Sequence, residues 1–316
     1  MPGTQELTRR IKSVKSTRKV TRAMQMVSAS KMRKSQSQAL ASRSYAELAS
    51  GLIASLKSPQ ELDIPLLKQF PDAQKIGVVV ISTNKGLVGS FNVNLLLQLK
   101  DLESQWLSSK NGRSVDVIVV GKKVSEAATR MRKQVIADFP KSDGGEQVTG
   151  VYAIAAQIVH MYESGEYANI YIVYNHFVST LTQKAVVKQL LPFSEGTGYR
   201  VQGTEVQLAS ATKRAMDSGL TPKPYTLNPV EYTFEPSPEL VINHLVPRIL
   251  ESQLYQALLE SDASEHSSRM IMMKNATDSA GDLIADLTLT FNQMRQNKIT
   301  TELSEITAGK IALEGQ

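Results

Sequence analysis

Residues 3–58 and 248–316 contain no proline, whereas eleven of the chain's twelve prolines lie within 59–247, the other being Pro2. Proline lacks a backbone N–H and its ring clashes with the preceding turn, so it ends or kinks helices. Glycine is also scarce in these two stretches: Gly3 and Gly51 in one, Gly281, Gly309 and Gly315 in the other. Two long terminal helices are predicted. Met273, Ala276, Ala280, Ile284, Leu287, Phe291 and Met294 recur in steps of three and four, the pattern of a coiled-coil seam. Beyond Met294 the register slips to Ile299, Leu303 and Ile306, as a stutter makes it. Near the other end, Leu7, Ile11, Val14, Val20, Met24 and Val27 follow three- and four-residue steps with one step of six. A helix of roughly 60–70 residues is about 90–105 Å long at ~1.5 Å per residue, against a radius of gyration near ~20 Å for a compact domain of this size. The pattern predicts shaft helices over 1–58 and 237–316, paired as a rod that projects from the body.

The middle reads differently. "KIGVVVIS" (75–82) and "SVDVIVVG" (114–121) are expected to be buried parallel strands, with "YANIYIVYNHF" (167–177) and "TQKAVVKQLLPF" (182–193) as further strands. Helical periodicity lies between them at 93–107, 123–133 and 152–165. Strands alternating with helices indicate a small Rossmann-like βαβ domain over 75–193. Residues 194–236 are rich in Gly, Pro and Thr and read as a loop or insertion, with a short helix expected at 206–217. The fold class is therefore α/β plus a long antiparallel helical coiled coil.

Charge is distributed unevenly. Residues 1–45 hold eleven Lys or Arg and one acid, Glu6, although the whole chain carries only +6. Such a block is a footprint for an anionic partner: nucleic acid, a membrane surface, an import receptor or an acidic protein. A solvated helix face gives the same composition. Tyr45 is the only aromatic before Phe70, so the stacking residues that accompany single-strand nucleic-acid binding are missing.

Catalytic and cofactor signatures are absent. The chain has no cysteine, and its four histidines (160, 176, 244, 266) lack metal-ligand spacing. The turn after the first strand, "STNKGLVGSFN" (82–92), has Gly86 and Gly89 but neither the G-x-G-x-x-G nor the P-loop spacing. No G-x-S-x-G elbow and no H-E-x-x-H occurs. The expectation is a non-catalytic chain with no catalytic, cofactor or metal site.

"SVKSTRKVTRAMQMVSASKMRKSQ" (13–36), "STNKGLVGSFN", "SEHSSRMIMMKNATDSAGDLI" (264–284) and "FNQMRQNKITTEL" (291–303), running into "ITTELSEITAG" (299–309), resemble the gamma subunit of F-type ATP synthases. The resemblance spans nearly the whole chain and is weakest at 134–150 and 195–235. It implies a rotor shaft, the antiparallel coil turning inside a ring of three alpha and three beta subunits. It also implies contact with the epsilon subunit and the membrane c-ring, one copy per complex, and no nucleic acid. The bacterial setting it implies is peripheral, on the cytoplasmic side of the inner membrane. Acidic levers on the beta subunits become the expected partners of the basic stretch.

By the same resemblance Arg269, Gln296 and Thr300 match a polar catch with the ring, and Met24 lies beside it. Lys85 matches a basic loop position that meets the acidic lever. The segment 307–316 is the implied shaft tip. Asn84 stands where many relatives carry an acid, which removes a salt bridge from that spot. Pro247 is expected to kink the C-terminal helix. The 195–230 segment overlaps the place where photosynthetic forms carry a regulatory insertion, and without cysteine no thiol switch can operate there. A stand-alone basic coiled-coil adaptor is the alternative reading.

Overall fold

The computed structural model describes residues 4–54, 64–107, 113–131, 133–141, 147–193 and 237–314. The expected loop or insertion at 194–236, with its short helix, lies outside them. The chain separates into two compact units, one made of the terminal helix segments (4–31 with 266–314) and one spanning 32–265.

The larger unit is built on five strands: β1 (Lys75–Ile81), β2 (Ser114–Val120), β3 (Val135–Phe139), β4 (Tyr167–Phe177) and β5 (Gln183–Leu191). Their order is β3-β2-β1-β4-β5. β1 lies parallel to both β2 and β4, and β2 parallel to β3. β5 departs from the expected parallel arrangement and runs antiparallel to β4. A parallel crossover needs a dozen or so residues, and five separate these strands. Ser179 and Thr182 instead close a tight turn by exchanging backbone hydrogen bonds of 3.0 and 3.3 Å. β3 has no counterpart among the expected strands. It is a short edge strand with alternating half-buried and exposed residues, so it leaves no apolar run to read.

Side chains alternate across β1, as a pleat requires. Val79 and Ile81 face a core shared with α4 (Gln147–Glu163), the short 3-10 turn at Pro65–Leu67, and Ile242, Val246, Leu250 and Leu254 of α5 (Pro238–Glu314). Ile76, Val78 and Val80 face α2 (Phe91–Leu107) and α3 (Lys122–Arg130), meeting Phe91, Leu95, Leu99 and Val124. α5 runs unbroken through Pro247, so the expected interruption does not end the helix. Asn243, whose carbonyl loses its partner there, is exposed and can be hydrated.

In the smaller unit α1 (Thr4–Ala54) and α5 run antiparallel. Thr21 and Thr277 share a hydroxyl hydrogen bond of 2.7 Å, and the Arg18 guanidinium lies over Gly281. Gln5 and Thr8 share a groove with Phe291, Arg295, Lys298 and Ile299. Numbers rise on one helix as they fall on the other.

On α5 the predicted seam is the buried stripe: Met273 and Ala280 are buried, Ala276, Ile284, Leu287, Phe291 and Met294 half-buried, and most residues between them exposed. On α1 the apolar reading is corrected. Leu7, Ile11 and Val14 lie on the stripe, but Val20, Met24 and Val27 are exposed by 60%, 37% and 51%. The stripe continues instead through Thr21, Gln25 and Ser28. Small and polar side chains let two helices approach closely, so counting apolar residues alone misplaces the seam. Ile299, Leu303 and Ile306 are also exposed. Ile299 still borders the groove lined by Gln5 and Thr8.

Candidate functional site

The expected contact residues fall in both units: Lys85 in the α/β unit, and Met24, Arg269, Gln296 and Thr300 in the helix pair. Met24 sits on the open face of α1; with Thr21 opposite Thr277, it lies level with Lys274. Gln296 and Thr300 are exposed on α5, where the Thr300 hydroxyl donates 3.0 Å to the Gln296 carbonyl. Arg269 is buried, with Nη1 3.5 Å from His266 Nδ1. Its 27-residue separation from Gln296 is about 40 Å of helix. Within this chain Arg269 therefore lies apart from the other two along the helix. Gln296 and Thr300 are a surface pair, and Arg269 is buried.

Lys85 lies exposed at the tip of the β1–α2 loop. Beside it Leu87 is 69% exposed at φ +63, an unfavourable conformation for a side chain branched at Cγ. The base of the loop is fixed by its own polar groups. Thr83 Oγ1 donates to the Lys85 carbonyl at 2.8 Å, and Asn92 receives the Thr83 N–H and donates back to its hydroxyl.

The same base occupies the crevice that an α/β sheet offers to a ligand. Between β1 and β4 the strand order reverses, and in such folds the crevice at the strands' carboxyl ends takes nucleotides against a helix N-terminus. Here the first N–H groups of α3 are already bonded: Lys122 to Asn84 Oδ1 (3.4 Å), Lys123 to the Thr83 carbonyl (3.0 Å) and Val124 to Ser82 Oγ (3.3 Å). The Ser82 hydroxyl is also within bonding distance of the Val120 and Gly121 carbonyls. Gly121 adopts φ +99, and a Cβ there would come within 2.8 Å of the Ser82 carbonyl oxygen. The N-terminal N–H groups of α3, the helix that follows β2 next to β1, are thus already satisfied within the chain.

Comparison with known proteins agrees over the full length. The ATP synthase family model matches residues 3–313. The ATP synthase gamma chain of Roseiflexus castenholzii is 37% identical over 315 residues, covering 99% of both chains. That of Heliobacterium modesticaldum is 37% identical over 316 residues, covering 99% of this chain and 100% of its own. The chain belongs to the ATP synthase gamma chain family. Among solved structures, the rotor of Euglena gracilis mitochondrial ATP synthase superposes with a TM-score of 0.59 at 17% identity, covering 94% of this chain and 98% of that one. The Tetrahymena thermophila mitochondrial central stalk and c-ring structure gives 0.55 at 25% identity, covering 81% and 99%.

Sequence reasoning on this gamma-family chain missed the polar belt of α5. From Gln256 to Ser267 the helix is buried on every face, charged residues included. Glu260 meets His176 of β4 at 2.6 Å and receives the Gln256 amide at 2.9 Å. Burial works against its charge, but the His176 bond holds its carboxyl below the usual glutamate range. Asp262 and Glu265 close on Lys141 at 2.7 and 2.8 Å. Burial acts to lower the pKa of that ammonium, and the two carboxylates outweigh it and raise the value above an ordinary lysine. A polar helix face normally signals solvent, so nothing in the sequence of α5 alone marked it as interior.

Proposed function

We infer that this chain is the central rotor shaft of an ATP synthase, coupling ion-driven rotation of the c-ring to conformational change in the catalytic beta subunits. Its partners are the alpha and beta subunits of the ring, the epsilon subunit and the c-ring. The observation that carries the reading is the surface of the helix pair. Its own seam is satisfied, yet Val20, Val27, Leu289, Ile299, Leu303 and Ile306 stand 49–68% exposed around it. Apolar residues in such number outside a completed seam fit a coil that works inside a sleeve of other subunits. The basic residues 9–34 between them suit acidic levers on the enclosing ring.

The contribution to the complex is mechanical, with the ATP chemistry elsewhere. The bonded N-terminus of α3 supports this, because an anion could reach those N–H groups only by displacing three bonded acceptors. Met24, Lys85, Gln296 and Thr300 are the proposed ring contacts, and Arg269, two residues beyond the polar belt, is the fifth, buried in the chain alone. Attachment to the membrane is peripheral, on the cytoplasmic side of a bacterial inner membrane. Among the described residues no helix is long and apolar enough to cross it. Co-expression with alpha and beta subunits followed by native mass measurement tests the reading. A 3:3:1 particle with ATPase activity is expected. A chain that stays apart and binds duplex DNA with a steep salt dependence would instead be a coiled-coil adaptor.

A further inference from the structure

We propose that Lys141 is a positioning residue that ties the Lys85 loop to α5, making the α/β unit a rigid coupling arm rather than a passive appendage. The inference rests on the rotor reading for its purpose and on side-chain geometry for its existence. Lys141 follows Pro140 directly after β3. It is used in two directions. Its ammonium lies between Asp262 Oδ1 at 2.7 Å and Glu265 Oε2 at 2.8 Å, three residues apart on α5, and its side chain is 5% exposed. Its backbone carbonyl accepts the Asn84 amide at 2.6 Å. Asn84 in turn accepts the Lys122 N–H at 3.4 Å, and its neighbour Lys85 is the exposed tip. The loop and α5 thus meet at Lys141, and α3 joins them through Asn84.

A buried ion pair seldom stabilises more than apolar residues of the same shape, and removing one partner strands the other's charge. What such a group does well is fix one arrangement. An aliphatic residue at 141 could fill the space but could not hold two acids of α5 while its backbone holds Asn84. The polar belt that Lys141 meets is itself buried. The Lys85 loop therefore owes its placement against α5 to contacts within the chain. A load taken up at Lys85 reaches α5 through Asn84 and Lys141.

The chain has no cysteine, so single spin labels can be placed cleanly. Full-length protein labelled at Lys85→Cys, with Ser104→Cys on the exposed side of α2 as a reference, is compared in three backgrounds: unaltered, Lys141→Arg, and Lys141→Met with Asp262→Asn and Glu265→Gln. The last combination removes all three charges of the cluster together. In it the label at 85 should gain a mobile component, with a severalfold shorter correlation time. The label at 104 should be unchanged, and Lys141→Arg should stay close to the unaltered protein. In complexes reconstituted with alpha, beta and epsilon subunits, the triple variant should pump fewer protons per ATP hydrolysed. An unchanged label at 85, equal loosening at 85 and 104, or an unchanged pumping ratio would each overturn the proposal. Failure of the unaltered chain to assemble would refute the rotor reading alone, leaving the spectroscopic comparison to decide the role of Lys141.

Discussion

Ile76, Val78, Val79 and Val80 of the central strand expose nothing, and both faces of the sheet are lined by aliphatic side chains. In the helix pair formed by 4–31 and 266–314, the described apolar residues that are buried at all are Leu7, Met273 and Ala280, and each keeps some exposure. Its seam runs on through Thr21, Gln25, Ser28 and Thr277, and larger apolar residues stand outside. The α/β unit therefore completes its own core. The helix pair buries just enough to stay paired and leaves apolar surface for others to cover. A part that must turn within a sleeve cannot be fully satisfied by itself.

This difference breaks most sharply at Gly121. With φ +99 and a Cβ position 2.8 Å from the Ser82 carbonyl oxygen, Gly121→Ala forces strain and displaces the Ser82 network. A loss of about 3 kcal/mol is expected from strain plus steric conflict, read by urea unfolding of the full chain. A loss under about 1 kcal/mol would mean that the Ser82 network is not what holds the N-terminus of α3.

Leu287→Asp probes the other unit. Leu287 is half-buried, so the carboxylate can turn toward water, and the isolated chain should lose about 1–2 kcal/mol. The larger effect should appear on co-expression, where the charge faces a subunit that excludes water, and the yield of assembled complex should collapse. Normal assembly would show that the coil tolerates charge on its seam and is not gripped there.

Acid sensitivity belongs to the α/β unit. Glu260 has a folded pKa below its unfolded value, so it contributes stability above about pH 4.5 that is lost as pH falls through the folded value. His176→Gln removes the bond and charge that lower it. Desolvation then pushes the carboxyl up, and acid unfolding should begin at higher pH than in the unaltered chain. The measurement is the acid midpoint by circular dichroism. A midpoint moved downward, or unmoved, would show that Glu260 draws its stabilisation elsewhere.

The strands β1, β2 and β4 were legible because buried parallel strands are continuous apolar runs. β3 was not, because an edge strand half-open to solvent carries no such run. On α5 the apolar part of the seam was legible, from Met273 to Met294, although the buried Thr277 between its members was not. On α1 it was lost at Val20, because Thr21 and Ser28 pack by being small. The candidate site divides the same way. Lys85 and Gln296 sit in motifs that resemblance can carry over, whereas Lys141 acts through two acids more than a hundred residues away. Side chains that work by burial in another element leave no local pattern.

The smallest expected effect compares one surface contact from each unit. Lys85 is exposed at a loop tip, and single exposed ion pairs contribute about 0–1 kcal/mol. Lys85→Ala should therefore leave rotation-coupled ATPase within roughly fivefold of the unaltered complex, a bound that follows from the same 1 kcal/mol. Gln296 is also exposed in the chain alone, but it stands on a continuous helix and not on a loop. A neutral hydrogen bond made there to the enclosing ring contributes about 0.5–1.5 kcal/mol and is not averaged away by loop motion. Gln296→Ala should accordingly slow turnover by roughly two- to tenfold, and more than Lys85→Ala does. Both are read as steady-state ATPase and proton pumping in vesicles at matched assembly. If the two variants are equally active, individual polar contacts on the coil do not set the rate. The shape of the helix pair, with its exposed apolar stripe turning against the ring, is then what transmits the motion.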